Sequence, residues 1–145
     1  MIAYLKDKES LSLSFNEFFE KYGGFAFSQE QFKELKEKLN IKNNDELLSI
    51  GLGGYILKSM KDAFKTLNNQ SKNKHDIIKN KMIKNYNYAF DAFLYELNNH
   101  EYGYTYETDD TIDALNLTYD DIEKHNNLKQ ALKDATKHIE KLDFT

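Results

Sequence analysis

The densest concentration of chemistry-bearing side chains lies between residues 102 and 123. Tyr102, Tyr104 and Tyr106 are followed by Glu107, Asp109, Asp110, Asp113, Asp120, Asp121 and Glu123, seven carboxylates within seventeen residues (107–123) that hold no basic side chain. Carboxylates repeated at such short intervals imitate a phosphate array, and a protein presenting them can occupy a basic nucleic-acid groove by electrostatic steering. Tyr adds a broad rigid ring with a polar tip, the residue type enriched at interface hot spots. Tyr102, Tyr104, Tyr106, Glu107, Asp109, Asp110, Asp113, Asp120 and Asp121 are therefore the expected partner-binding set. Acidic first turns also complement helix dipoles, so the same carboxylates have a purely structural reading.

A basic stretch opposes this acidic one. Lys58, Lys61, Lys65, Lys72, Lys74, Lys79, Lys81 and Lys84 stand against only Asp62 and Asp76 over residues 58–84. With exposed Tyr alongside, that set would suit single-stranded nucleic acid, whose bases stack on rings while lysines track the backbone. All twenty basic residues are Lys and none is Arg. Arg supplies the planar fork that reads guanine edges, so its absence disfavours sequence-specific recognition. A coding bias toward Lys and Asn accounts for the same composition.

Other chemistries find little support. Gly51-Leu52-Gly53-Gly54 lacks the Lys-Ser/Thr pair of a phosphate loop and reads as a tight bend. His75, His100, His125 and His138 are scattered, with no His-x-x-x-His pair to open a metal site. His100 beside Asp109 or Asp110 would make a general acid–base site, but a His near a helix C-terminus more often serves as a cap. Without Cys there are no disulfides, thiolate zinc sites or Cys nucleophiles, which fits a reducing compartment. No Gly-x-Ser-x-Gly elbow is present. The chain is expected to be no enzyme and to need no metal or cofactor. Early charges at Lys6, Asp7, Lys8 and Glu9 argue against a secretory leader, and no apolar run nears the roughly 20 residues of a bilayer span. A cytoplasmic protein without membrane contact is expected.

The elements that must position these residues are announced by their ends. Ser14 with Glu17, Ser28 with Gln31, and Thr118 with Asp121 each have the spacing of a capping box. Leu13–Phe18, Phe27–Phe32 and Leu117–Ile122 are the accompanying hydrophobic staples. Gly23 and Gly24 should end the first helix, and Phe32, Leu35 and Leu39 line the second. Residues 47–50 and 55–57, joined by the glycine-rich bend, predict a β-hairpin. A helix follows, with Ser59 as cap and Met60, Ala63, Phe64 and Leu67 inward; residues 68–74 read as a loop. Apolar spacing at Ile78, Met82, Tyr86, Ala89, Phe93 and Leu97 predicts one long helix over 76–99. Leu128, Leu132, Ala135, Ile139 and Leu142 repeat that seam in a last helix. Phe25-Ala26-Phe27, running to Leu39-Asn40-Ile41, has a counterpart in Tyr104-Thr105-Tyr106, running to Leu115-Asn116-Leu117. Both are expected to be short aromatic strands feeding capped helices, and the two strands to pair. The expected fold is α+β: one mainly helical domain over 1–145 with a small antiparallel sheet.

Three stretches also carry a resemblance. Phe25-Ala26-Phe27-Ser28-x-x-Gln31-Phe32, Leu48 through Lys58, and Asp91-Ala92-Phe93-Leu94-Tyr95-Glu96-Leu97-x-x-His100-Glu101-Tyr102 resemble small uncharacterised proteins of phages and mobile elements, over roughly 25–137. The Lys- and Asn-rich segment 68–87 departs from that pattern by its length. The resemblance implies context, not a reaction: small phage proteins commonly bind and disable a host component, including defence nucleases. It supplies no catalytic residue. The expected function is therefore an inhibitor of anti-CRISPR type, whose partner is a host nucleic-acid-handling defence enzyme met in the cytoplasm. The alternatives are a Lys/Tyr nucleic-acid binder or a protein that self-associates through its last helix.

Overall fold

The computed structural model describes residues 1–142. It is mostly helical, with one three-stranded antiparallel sheet, as the α+β expectation required. By packing, the chain divides into two compact units: Ser10–Lys72, and Met1–Glu9 together with the chain from Asn73 onward.

In the unit Ser10–Lys72, the sheet is framed by helix ends. Helix α1 (Ile2–Tyr22) runs unbroken through Ser14, so Ser14 with Glu17 caps nothing and Leu13 is 53% exposed. Nothing before Ser14 ends a helix, and extending one costs less than nucleating another. Glycines 23 and 24 do end α1, but as strand residues of β1 (Gly23–Phe25). A Cβ on Gly23 would stand 2.7 Å from the Tyr55 carbonyl oxygen, so only glycine lets β1 approach so closely. Helix α2 (Gln29–Lys38) is capped as expected, the Ser28 hydroxyl accepting from the Gln31 N–H at 3.2 Å. The Gln31 side chain accepts from the Phe27 N–H at 2.7 Å, one residue earlier than the reciprocal bond of a capping box. The hairpin forms from β2 (Leu47–Gly51) and β3 (Gly54–Leu57), with Ser49 opposite Tyr55. Sheet order is β1-β3-β2, so β1 pairs with β3 and not with Tyr104–Tyr106. Ile56 is wholly buried, and Phe15, Phe18, Phe19 and Phe64 make a ring cluster with centroids 5.6–6.4 Å apart.

Helix α3 (Lys61–Lys84) continues through residues 68–74, which are therefore not a loop. Polarity alone does not end a helix; the segment contains no Gly or Pro to do so. The break falls instead at Asn85, whose side chain accepts from the Tyr88 N–H at 3.1 Å and starts α4 (Tyr86–Asn99). The single helix expected over 76–99 is thus the end of α3 plus α4. Ser59 lies in a 3-10 turn before α3 and makes no such cap, and Ala63 is exposed.

In the unit of Met1–Glu9 and the chain from Asn73, α4 packs along α8 (Asn126–Leu142). Ala89, Ala92, Phe93 and Leu97 of α4 and Leu128, Ala131, Ala135 and Ile139 of α8 are all buried in this core. Alanines on both helices let the backbones come close. Leu142 is 62% exposed and Leu132 half-buried, so the buried seam runs through Ala131 instead. Between them lie three short helices, α5 (Tyr102–Thr105), α6 (Asp109–Ala114) and α7 (Tyr119–Lys124). The aromatic strand expected at Tyr104–Tyr106 is a helical turn bracketed by left-handed Glu101 (φ 60°) and Tyr106 (φ 55°). Burial of Tyr102 against α8 drives that choice, because a strand would turn Tyr102 and Tyr104 to the same face.

The suspected repeat survives at its other end. Asn40 (φ 55°) and Asn116 (φ 56°) both adopt the left-handed conformation after a helix. Asn40 and Ile41 return bonds to the carbonyls of Glu37 and Lys36; Asn116 and Leu117 do the same to Asp113 and Ile112. Both are Schellman ends.

Candidate functional site

The acidic segment is built on α5, α6 and α7. Tyr104 is 88% exposed and Tyr106 54% exposed. Tyr102 is buried and donates to Glu140 Oε1 at 2.6 Å, so it leaves the contact set and becomes a core residue. Its ring supports Tyr106 edge-on, with centroids 5.8 Å apart. Glu107, Asp109, Asp110, Asp113 and Asp120 are exposed, while Asp121 is half-buried. Asp121 is occupied: it accepts from the Thr118 N–H at 2.9 Å, completing the capping box, and from Lys79 Nζ at 3.0 Å. Burial pushes its carboxyl up, but the Thr118 and Lys79 bonds outweigh that and hold it below the ordinary value. Asp120 pairs with Lys124 at 2.8 Å. Among the described residues, no lysine pairs with Glu107, Asp109, Asp110 or Asp113.

Folding adds one residue that the sequence reading passed over. The Tyr119 hydroxyl donates to Asp109 and shares a hydrogen bond with Thr108 Oγ1 at 2.8 Å, joining the start of α7 to the start of α6. The bond to Asp109 raises the Tyr119 phenol above its ordinary value. Tyr119 is half exposed and so belongs to the same surface. Its separation from Tyr106 in sequence concealed this; its place at the first position of a capped helix was the available signal.

Seven of the eight lysines of the basic set lie along α3 and Lys58 in the turn before it, but the set is divided between the two units. Lys58, Lys61, Lys65 and Lys72 belong to one unit, and Lys74, Lys79, Lys81 and Lys84 to the other. Lys79 is paired with Asp121, and Lys81 with Asp7 at 2.8 Å while lying over the Tyr88 ring. At least these two charges are already matched by carboxylates.

A second cluster of polar contacts gathers around a residue not singled out from the sequence, Glu96. It is 1% exposed and accepts from the Tyr4 hydroxyl at 2.8 Å and from Lys8 Nζ, whose ammonium also lies 4.7 Å from the Tyr95 ring centre. Burial, then the bond to Glu96, raises the Tyr4 phenol far above its ordinary value. His100 Nε2 faces Glu96 Oε2 at 3.4 Å without forming a hydrogen bond. The carboxylate beside His100 is thus Glu96 and not Asp109 or Asp110. These contacts fasten Met1–Glu9 to α4. Glu96 falls at the spacing of the core residues Ala89, Ala92 and Phe93, and a charge on an apolar face was the clue to it. Among the described residues, no group of three or more His, Asp and Glu is placed to hold a metal ion, and no helix is long and apolar enough to cross a membrane.

A mainly helical α+β protein with an exposed acidic and aromatic surface is the class that fold and site define. The chain belongs to DUF7659, a family of unknown function, the match spanning residues 8–138. No curated protein and no solved structure matches it.

Proposed function

We propose that this chain is a non-enzymatic protein of phage or mobile-element type. In this reading it binds and inhibits a host protein in the cytoplasm, a nucleic-acid-handling defence nuclease, in the manner of an anti-CRISPR. The observation that carries the reading is the combination of exposed Tyr104, Tyr106 and Tyr119 with Glu107, Asp109, Asp110 and Asp113, carboxylates that no lysine pairs with among the described residues. Unmatched charges steer a basic partner, and the rings provide contact area that remains when salt screens the steering. The Lys-based nucleic-acid reading is weaker because Lys79 and Lys81 are already matched by Asp121 and Asp7.

The test is affinity capture from host lysate at low and moderate salt, with the wild type and an Asp109→Lys/Asp110→Lys/Asp113→Lys variant. Asp121 is left intact because its loss would break a helix cap. A basic partner retained by the wild type and lost from the variant, whose circular dichroism matches wild type, is expected. Equal capture by both proteins rejects the acidic surface. Tight binding of bare single- or double-stranded probes at physiological salt would favour the nucleic-acid reading.

A further inference from the structure

Among the described residues, three buried side-chain atoms have no hydrogen-bond partner, and two of them face each other: Glu96 Oε2 and His100 Nε2, 3.4 Å apart where α4 ends. A buried polar atom left unmade costs stability, so a facing pair of them asks for a cause. The His100 side chain as a whole is 29% exposed, which lets the ring exchange protons with water, while the carboxylate it faces is 1% exposed. A neutral imidazole has one N–H and can hold it away from Glu96; an imidazolium has two and must present one of them to Oε2.

The other oxygen of Glu96 fastens the start of α1. Tyr4, Asp7 and Lys8 share one face of that helix. Tyr4 and Lys8 both donate to Glu96 Oε1, and the Tyr4 ring packs on those of Tyr88 and Tyr95 with centroids 6.0 and 6.1 Å away. Asp7 makes a second anchor, accepting from Lys81 at 2.8 Å and from the Tyr88 hydroxyl at 2.7 Å. Burial pushes the Asp7 carboxyl up, but those two bonds outweigh it and keep the group below its ordinary value, so Asp7 stays ionised from neutral to mildly acidic pH. One anchor is thus fixed in charge, and the other has a histidine beside it.

Charged and titratable groups of the neighbouring elements are engaged elsewhere or face water. Lys6 and Glu9 of α1 are exposed, and Asp91 of α4 takes the Met1 ammonium. On α8, Asp134 accepts from Tyr86, Glu140 accepts from Tyr102, His138 stands edge-on to Phe90, and the lysines are exposed. Glu101 before α5 and the three aspartates of α6 are exposed as well. Lys8 and His100 are therefore the two groups placed to supply Glu96 with positive charge.

We propose that His100 is a proton-dependent second counter-ion for Glu96, so that acid loosens the hold of Lys8 and with it one of the two anchors of α1. With His100 neutral, Lys8 alone balances the buried carboxylate, and losing it is costly. Protonated His100 needs to move by only about half an ångström to reach the roughly 2.7–2.9 Å of a charge-assisted hydrogen bond. Two cations beside one carboxylate repel, and Lys8, whose side chain is 36% exposed, is the one able to swing into water. Histidine ordinarily titrates between about pH 5 and 8, so mild acid is enough. The site is separate from the acidic surface, and the inference stands independently of the inhibitor reading.

Urea unfolding at about pH 8 and about pH 5.5 tests it through the loss caused by Lys8→Met, measured in the wild type and in His100→Gln. In the wild-type background, the drop in folding constant caused by Lys8→Met is expected to be about tenfold smaller at the lower pH, a coupling of ordinary size for groups in contact. In His100→Gln the drop should be the same at both pH values. Lys81→Met is the control, because its partner Asp7 keeps its charge across this range. If Lys8→Met does not fold at the higher pH, hydrogen–deuterium exchange of residues 1–9, corrected for the intrinsic rate, decides. Protection there should fall several-fold in acid in the wild type and stay level in His100→Gln. A Lys8→Met loss equal at both pH values overturns the proposal, as does one that grows in acid or a pH dependence that survives His100→Gln.

Discussion

Replacing Lys8 by Met should cost more stability than replacing Glu96 by Gln, although both break the same ion pair. Glu96 is 1% exposed and cannot reach water, whereas the Lys8 side chain is 36% exposed and can swing outward when its partner goes. Removing one member of a buried pair typically costs about 3–5 kcal/mol, because a charge is left uncompensated in a poor dielectric. Tyr4 still donates to Glu96 at 2.8 Å in Lys8→Met, and His100 Nε2 still stands 3.4 Å from its other oxygen, which places the expected loss near the lower end, about 3 kcal/mol. In Glu96→Gln the amide oxygen keeps the bond from Tyr4, an amide NH2 takes the place of the oxygen beside His100 Nε2, and the charge-assisted contact to a half-free lysine is lost, about 1 kcal/mol. The double variant removes both charges and should lie near Glu96→Gln, not near the sum. Urea denaturation of the four proteins at neutral pH measures this, with melting temperature as a second readout; Lys8→Met should melt on the order of 10 °C lower. If Glu96→Gln is the more damaging single change, or if the two losses simply add, the buried-carboxylate reasoning is wrong.

Thr118→Ala should cost about 1 kcal/mol through loss of a real capping box, while Ser14→Ala, with the same spacing to an acid but lying mid-helix, should be neutral or slightly stabilising in parallel urea titrations. Leu52→Asn should stabilise the monomeric fold by about 0.5–1 kcal/mol, since Asn tolerates positive φ and an exposed Leu has no packing to lose; a destabilised variant would mean that Leu52 is held by contacts within the chain. Burial and the bond to Glu140 push the Tyr102 phenol up to about 12, above an ordinary value of about 10. Its contribution to stability is therefore complete below about pH 10 and drains away as pH rises toward 12. Tyr102→Phe should flatten that alkaline decline in stability measured across the range, and an unchanged slope would refute the assignment.

Much of the chain's punctuation was legible before folding because it is written locally. Ser28 and Thr118 satisfy amides three residues away, glycine at 51 and 53 permits the hairpin bend, and Asn40 and Asn116 end helices in the same left-handed step. Each depends on neighbours within one turn of chain. Structure departs from expectation where local signals compete with equally local alternatives. Ser14 has a cap's spacing but no helix end before it, residues 68–74 are polar but contain nothing that stops a helix, and Asn85 cuts a periodicity that continues on both sides of it.

Which side of the molecule a residue serves was decided only by tertiary packing. The sequence established an acidic, tyrosine-rich run, but Tyr102 turned inward to Glu140, Asp121 was taken by Lys79 and its own cap, and Tyr119 joined Asp109 across a turn. Glu96 acquired Tyr4 and Lys8 as partners from the opposite end of the chain. Capping and turn chemistry are fixed by bonds between residues a few positions apart, so sequence alone determines them. Burial and charge pairing depend on which distant segments share a core, and only the folded chain settles that.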